Sequence, residues 1–145
     1  MSRIKMELPD KFKSSFKIPV RITDINYGNH LGNDSLVSII HEARMQFLQQ
    51  HNFTEMNAGG SSLIMSELIA EFKNEAFYKD VLDTKIFIGE ISKVSFELYY
   101  SLSATRHGAP IVIANAKTGM VCFDYTLKKV VPIPKLLKEI LVQEN

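Results

Sequence analysis

The sequence has 145 residues, of which 46% are hydrophobic and 23% charged, and its formal net charge is +1. This length and composition are typical of a globular protein, and we predict a single domain over residues 1–145. The small net charge and the lack of a long basic run argue against nucleic acid or an anionic membrane as a main partner. The sequence also lacks an apolar segment of about 18 residues, so no transmembrane helix is expected.

Cysteine content and the first residues bear on the compartment and on metal binding. Cys122 is the only cysteine, which excludes an internal disulfide and fits a reducing compartment. The first residues, MSRIKMELPDKF, lack the apolar core of a signal peptide, so a cytoplasmic protein is expected. The histidines and Cys122 show no metal-ligand spacing, so neither a metal nor another cofactor is expected.

The first half of the chain predicts a strand followed by a long helix. Apolar residues recur at every second position over residues 12–23, which is the period of a half-buried strand. Pro19 lacks a backbone N–H, so this strand should lie at a sheet edge or be bulged at that residue. From Asp34 the apolar spacing changes to three and four, which predicts an amphipathic helix that ends near His51. Asn33 or Asp34 is expected to cap this helix.

The second half predicts four more strands and a short helix. The strands are expected over residues 62–78, 84–93, 94–105 and 111–127. In the strand expected over residues 62–78, the face opposite the apolar one carries Glu67, Glu71, Lys73 and Glu75. This indicates a solvated or interface face. Short turns favour antiparallel pairing, and a five-stranded sheet has an apolar face that one long helix can cover. We therefore predict an α+β fold, with an amphipathic helix after Pro134.

Polar residues are concentrated between the first strand and the helix, in the stretch VRITDINYGNHLGNDSL (residues 20–36). Its polar members are Asp24, Asn26, Asn29, His30, Asn33 and Asp34, and its glycines are Gly28 and Gly32. The N-terminus of a helix offers N–H donors and a dipole that favours negative charge. Glycine lets the backbone approach a ligand closely. This junction is therefore the predicted functional site.

The junction resembles that of the hot-dog fold acyl-CoA thioesterases, in particular the group around 4-hydroxybenzoyl-CoA thioesterase. Their pattern is roughly R-x-x-D-x-D-x-x-x-H-x-N-N, and this chain has RITDINYGNHLGN followed on the helix by HEAR. The matching residues are Arg21, Asp24, His30, Asn33, Glu42, Ala43 and Arg44. The resemblance implies a five-stranded antiparallel sheet wrapped around one long central helix. It also implies hydrolysis of an acyl-CoA or acyl-carrier thioester to free acid and thiol.

One position departs from the pattern in a way that matters for catalysis. The second acid of D-x-D, which several family members use as nucleophile or general base, falls on Asn26. An amide takes no proton from water at neutral pH, although it can orient a water or donate to a carbonyl. Gly32 replaces the first N of the N-N pair, and Leu36 replaces a frequent aromatic residue.

The resemblance and the residue chemistry together give the predicted site. The predicted catalytic residues are Asp24, Asn26, His30 and Glu42, and the predicted substrate-binding residues are Gly28, Asn29, Asn33 and Asp34. His30 could hold the attacking water or polarise the carbonyl. The base is left open among Asp24, Asp34 and Glu42. Each has a structural alternative, which is a turn for Asp24, a helix cap for Asp34, and a polar pair with Arg44 for Glu42.

Two other functions remain open at this stage. With Asn26 in place of the acid, the protein could be a non-catalytic module that binds acyl-CoA or an acyl carrier. Hot-dog enoyl-CoA hydratases use D-x-N-P-x-H, which DINYGNH approaches, although it lacks the proline and has one extra residue. The family resemblance further implies a homodimer or a dimer of dimers (a homotetramer).

Overall fold

The computed structural model of the protein describes residues 5–144, which form one layer of antiparallel sheet against one long helix. The elements in chain order are β1 (Ser14–Pro19), a 3-10 turn (Ile22–Asp24), α1 (Asn33–Gln50), β2 (Ser62–Phe72), β3 (Val81–Ile91), β4 (Ser95–Arg106), β5 (Ala109–Asp124), β6 (Lys129–Val130) and α2 (Lys135–Val142). The strand order is β1-β3-β4-β5-β2, and β6 pairs with β5. The predicted five strands and central helix are confirmed, and the two-residue β6 adds a sixth strand.

The helix α1 lies on the sheet because its apolar stripe faces the alternate residues of the strands. The stripe consists of Leu36, Ile40, Ala43 and Phe47, each at most 1% exposed. The residues of β4 in the same core are Phe96, Leu98, Tyr100 and Leu102, each at most 2% exposed. Burying a side chain of this size stabilises the fold by about 1.5–3 kcal/mol. The apolar side chains that recur with the 3.6-residue period of the helix therefore pack in one core with those that recur at every second residue of the strand.

Two element boundaries differ from the prediction, and both differences shape the site. β1 ends at Pro19, at the sheet edge as predicted, and the chain then turns at residues 22–24 instead of continuing as a strand. β2 ends at Phe72, well before the predicted residue 78. The N–H groups of Lys73 and Asn74 both donate to the carbonyl of Ile113 (2.8 and 3.1 Å), which bends residues 73–80 away from the ladder.

The start of α1 also differs from the prediction. Gly32 occupies the N-cap position in an extended conformation, and its carbonyl accepts the N–H of Leu36 at 3.0 Å. Asn33 and Asp34, which were expected to cap the helix, instead belong to its first turn, and no side chain caps it. The prediction of Asn33 or Asp34 as the cap is therefore wrong. Over residues 5–144, no helix combines the length and the hydropathy needed to span a bilayer.

Candidate active site

Residues 25–32 form a compact loop that fixes His30. The N–H of Asn26 donates to the carbonyl of His30 (2.9 Å), and the N–H of Asn29 donates to the carbonyl of Asn26 (3.1 Å). Ile25 and Leu31 pair as an isolated antiparallel bridge at the base of the loop. Asn29 has a φ of 66°, in the left-handed region that asparagine tolerates better than most residues.

Asn26 is held by its own loop. Its Oδ1 accepts the N–H of Gly28 at 2.9 Å, which is an Asx turn. This contact fixes the orientation of the amide, whose nitrogen has no hydrogen-bond partner within residues 5–144 and can donate to a ligand. Asn26 can therefore donate a hydrogen bond to a substrate carbonyl or a water, but it does not accept a proton.

One ring nitrogen of His30 faces a backbone carbonyl. Its Nδ1 lies 3.3 Å from the carbonyl oxygen of Leu31, and a carbonyl can only accept. The contact favours the tautomer with hydrogen on Nδ1, and in that tautomer Nε2 presents a lone pair. A Cβ added at Gly28 would meet Nε2 at 3.0 Å, so the loop allows this approach because residue 28 has no side chain.

The first turn of α1 presents three backbone donors. The N–H of Gly32 donates to the carbonyl of Asp24 (3.0 Å), and helical hydrogen bonding starts with the N–H of Leu36. Between them, the N–H groups of residues 33–35 donate to no acceptor within the described part of the chain. They lie at the positive end of an 18-residue helix dipole. This turn is therefore suited to negative charge on a ligand oxygen.

A groove of about 710 Å³ opens between this loop and the end of β2. On the loop side it is lined by Asn26, Tyr27, His30, Gly32, Asn33 and Asp34. Its other lining residues are 72–75, at and beyond the end of β2. Tyr27 is fully exposed and Phe72 is half-exposed, so the groove offers aromatic surface beside its polar groups.

The structure brings together five of the eight predicted site residues and Gly32. Asn26, His30, Asn33 and Asp34 line the groove, and Gly28 supports His30 from within the loop. Asn29 lies exposed at the tip of the loop turn and does not line the groove. The roles of these residues stay predictions.

Asp24 and Glu42 lie apart from the groove. Both line a separate cavity of about 220 Å³ between β1 and α1. Asp24 is 4% exposed, and its Oδ2 accepts the backbone N–H of Arg21 at 2.8 Å, which closes the 3-10 turn. Glu42 is exposed and accepts a hydrogen bond from Gln46 at 2.8 Å. Within one chain, neither carboxylate reaches the groove, and their catalytic roles stay predictions.

Arg44 of the HEAR segment is a core residue. It is 5% exposed, and its Nε donates to Oε2 of Glu55 (3.0 Å) while Nη1 donates to the Tyr100 hydroxyl (3.3 Å). The considered pairing of Arg44 with Glu42 is therefore not formed. Burial alone would raise the pKa of Glu55, but hydrogen bonds from His41 and Arg44 outweigh it and hold that pKa below its ordinary value.

Sequence reasoning missed one carboxylate of the groove, that of Glu75. Residues 62–78 were expected to continue as a strand, which placed Glu75 on a solvated face with Glu71. Because β2 ends at Phe72, Glu75 instead lines the same groove as His30 and Asp34. No motif in the sequence signals this, since the bend depends on the carbonyl of Ile113 in a distant strand.

With the geometry established, comparison with known proteins gives the family. The sequence model of the thioesterase-like superfamily matches residues 20–141. The chain therefore belongs to the thioesterase-like superfamily, and the predicted membership is confirmed. A protein of Aquifex aeolicus (strain VF5) that carries a provisional esterase name is 29% identical over 102 residues. The match covers 69% of this chain and 75% of that protein.

Solved structures confirm the hot-dog fold. A 1,4-dihydroxy-2-naphthoyl-CoA thioesterase from Synechocystis is similar with a TM-score of 0.77 and 20% identity, over 88% of this chain and 93% of that chain. A Pseudomonas aeruginosa protein with a provisional thioesterase name gives 0.81 and 14%, over 91% and 100%. An Asp-to-Asn variant of 4-hydroxybenzoyl-CoA thioesterase, complexed with 4-hydroxybenzoyl-CoA, gives 0.78 and 17%, over 88% and 97%.

Proposed function

We propose that the protein hydrolyses an acyl-CoA or acyl-carrier thioester to a free acid and a thiol in the groove between residues 26–34 and 72–75. The observation that carries this proposal is the set of three backbone N–H groups at residues 33–35, which have no acceptor within residues 5–144, in a helix turn whose Asn33 and Asp34 line the groove together with His30. Membership of the thioesterase-like superfamily supports hydrolysis over hydration or binding alone.

The groove supplies the two requirements of thioester hydrolysis, which are an oriented water and a site for negative charge. When water attacks the thioester carbon, the carbonyl oxygen becomes an oxyanion, and preorganised N–H donors at a helix N-terminus stabilise it. The N–H groups of residues 33–35 are the candidate donors. The amide nitrogen of Asn26 can add a further donor from the loop.

His30 is suited to hold the attacking water. When Nδ1 donates to the carbonyl of Leu31, Nε2 of the neutral ring is the acceptor and can take a hydrogen bond from water. Collapse of the tetrahedral intermediate then breaks the carbon–sulfur bond and releases the thiolate, which takes a proton to become the thiol. Asn26 takes no part in this proton transfer, because its side chain is an amide.

The aromatic side chains of the groove support an apolar or aromatic acyl group. Tyr27 and Phe72 are the exposed aromatic residues that line it. Two of the similar structures are named for aryl-CoA substrates, the 1,4-dihydroxy-2-naphthoyl and the 4-hydroxybenzoyl thioesters. CoA thioesters of aromatic acids are therefore the first substrates to test.

A second copy of the chain is the proposed partner, in a homodimer or a dimer of dimers. β2 is 11 residues long and lies at the end of the strand order, so its outer edge is unpaired within the described residues. Proteins rarely leave so long an edge open, because it templates pairing with another chain. Met65 is 41% exposed on this strand. Light scattering of wild type and Met65→Asp tests this, and a monomeric wild type would contradict it.

The central experiment measures thiol release from short, long and aromatic acyl-CoAs by wild type, His30→Asn and His107→Asn. His107 lies at a hairpin turn with a φ of 51°, which asparagine tolerates, so His107→Asn is the matched control. We expect turnover by wild type and by the control, and at least a tenfold loss of kcat for His30→Asn.

The other outcomes identify the alternatives. Tight acyl-CoA binding without thiol release from any substrate would contradict hydrolysis and support a non-catalytic binding module. Loss of an enoyl-CoA double bond without thiol release would support a hydratase.

A further inference from the structure

We propose that Glu75 is the general base of this site, in the role that Asn26 is unable to fill. This inference rests on the hydrolysis proposed above and names the group that takes the proton from the attacking water. Glu75 lines the same groove as His30, three residues beyond the end of β2. A base must lie within reach of the water that it activates, and the groove places both side chains around one cavity.

The carboxylate of Glu75 is available for this role. Its side chain is exposed to the groove and has no hydrogen bond or ion pair with any residue among 5–144. The neighbouring Lys73 forms its ion pair with Glu71, at 3.4 Å, and not with Glu75. A carboxylate with open lone pairs can accept a proton without first breaking a structural contact.

Asp34, the other carboxylate of the groove, is less suited to this role. It lies in the first turn of α1, where the helix dipole favours negative charge. Its Oδ1 lies 2.7 Å from the position that a Cβ of Gly32 would occupy, close to the donors proposed for the oxyanion. A carboxylate at that place competes with the oxyanion for the same donors. Asp34 is therefore less suited than Glu75 to act as the base, and its substrate-binding role stays a prediction.

The backbone of Glu75 is fixed from two sides. Its carbonyl accepts a hydrogen bond from Nη2 of Arg106 (3.1 Å), and Arg106 is itself held by two contacts of 2.8 and 2.7 Å to Asp80. The carbonyl of the next residue, Ala76, accepts the N–H of Leu31 (2.8 Å) from the His30 loop. The Glu75 backbone is thus held in register with His30, which is the preorganisation that catalysis requires.

The proposed step is balanced in protons and electrons. Water held by Nε2 of His30 attacks the thioester carbon, while the Glu75 carboxylate takes one of its protons and becomes a carboxylic acid. The carbonyl electron pair moves to oxygen and is stabilised by the N–H groups of residues 33–35. The carbon–sulfur bond then breaks, and Glu75 returns its proton to the leaving thiolate. The products are the free acid and the thiol, and Glu75 is again a carboxylate.

The test uses Glu75→Gln, Glu75→Ala and the control Glu139→Gln, which alters an exposed glutamate on α2 away from the groove. We expect Glu75→Gln to lower kcat by about 10²-fold or more, with KM changed less than threefold. Added formate should restore part of the activity of Glu75→Ala, because a small carboxylate can occupy the vacated space. A purely structural role would give no such rescue.

Each outcome separates this inference from the proposed function. An active wild type whose Glu75→Gln variant keeps kcat within threefold would overturn Glu75 as the base and leave hydrolysis standing. A large loss in Glu75→Ala without any rescue by formate, in a variant with an unchanged thermal melt, would also overturn the base role. A wild type that releases no thiol from any acyl-CoA would overturn both proposals together.

Discussion

The backbone N–H of Leu31 donates to the carbonyl of Ala76 at 2.8 Å and so joins the two walls of the groove. One wall is the loop that carries Asn26 and His30, and the other is the segment that carries Glu75. A substitution that loosens either segment should therefore change the geometry of the other, and it should affect turnover more than folding. The contacts that hold the Glu75 segment are the first place to test this.

Replacement of Arg106 by alanine should lower activity through position alone. Arg106 binds both oxygens of Asp80 and the carbonyl of Glu75. Its loss should cost about 1 kcal/mol of unfolding free energy, as for a bidentate, partly buried ion pair. It should also reduce kcat several-fold by releasing Glu75. Urea denaturation and thiol-release kinetics measure the two effects, and full activity in a destabilised variant would contradict the positioning role.

The same ion pair should make part of the stability dependent on pH. Burial alone would raise the pKa of Asp80, but hydrogen bonds from Arg106 and from the N–H of Phe77 outweigh it and leave that pKa below its ordinary value. A carboxylate with a lowered pKa stabilises the fold above its unfolded-state pKa, and the contribution disappears as the pH falls through the folded-state pKa. Asp80→Asn should therefore be less stable than wild type at pH 7 in urea denaturation, and the gap should shrink toward pH 3. A gap that is constant with pH would contradict this assignment.

Asn26→Asp should increase turnover. The existing Oδ1 contact to the N–H of Gly28 can be kept by a carboxylate oxygen, so the loop should fold unchanged. The second oxygen would then replace the amide nitrogen at the groove and add a proton acceptor. We expect kcat to rise about tenfold. A fall in kcat with an unchanged thermal melt would show that the amide donor of Asn26 contributes more than a carboxylate could.

Combining this change with Glu75→Gln tests whether the two positions share one role. If Asp at position 26 takes over as base, the loss from Glu75→Gln should shrink from about 10²-fold to less than tenfold in the Asn26→Asp background. Equal losses in both backgrounds would show that the two side chains act independently. The measurement is kcat for the four proteins of this cycle on one acyl-CoA.

The fold followed from the sequence because its periodic patterns record burial. Residues 95–105 alternate between polar and apolar side chains, and the apolar ones are the buried residues of β4. Element ends were less predictable, because they depend on contacts between distant segments. β2 stops at Phe72 only because two later N–H groups turn to the carbonyl of Ile113.

The sequence predicted the part of the site that lies in one short segment, but not the part that a distant segment contributes. His30 and Asn26 stand close together in the motif, and the loop between them is closed by its own backbone hydrogen bonds. Glu75 joins them only through the pairing of Leu31 with Ala76, which no spacing in the sequence reveals. Arg44 matched a position of the motif. The motif did not indicate that Arg44 is buried in the core, because its partner Glu55 lies beyond the end of α1.

Gly28→Ala tests whether the position of His30 matters. A Cβ at this residue would meet Nε2 of His30 at 3.0 Å and its Cδ2 at 3.3 Å, so the ring would have to move. Both residues lie in a loop with little burial, and the unfolding free energy should change by less than about 0.5 kcal/mol. We expect kcat to fall several-fold at nearly constant stability. Gly108→Ala is the control with the opposite properties. No atom lies within 4 Å of a Cβ added there, but the φ of 78° strains the backbone of any residue with a side chain.

Tyr100→Phe should destabilise the protein without affecting turnover. Tyr100 is completely buried, and its hydroxyl lies 2.7 Å from Oγ1 of Thr118 and 3.3 Å from Nη1 of Arg44. Removing the hydroxyl leaves buried polar groups without this partner, which costs about 1–3 kcal/mol. The neighbouring Tyr99→Phe is the matched control, because Tyr99 lies on the opposite face of β4 and is only partly buried. Urea denaturation of both variants should show the loss only for Tyr100→Phe. Equal stabilities would mean that the hydrogen bonds of the hydroxyl with Thr118 and Arg44 contribute nothing to stability. A fall in kcat would mean that these hydrogen bonds affect the groove.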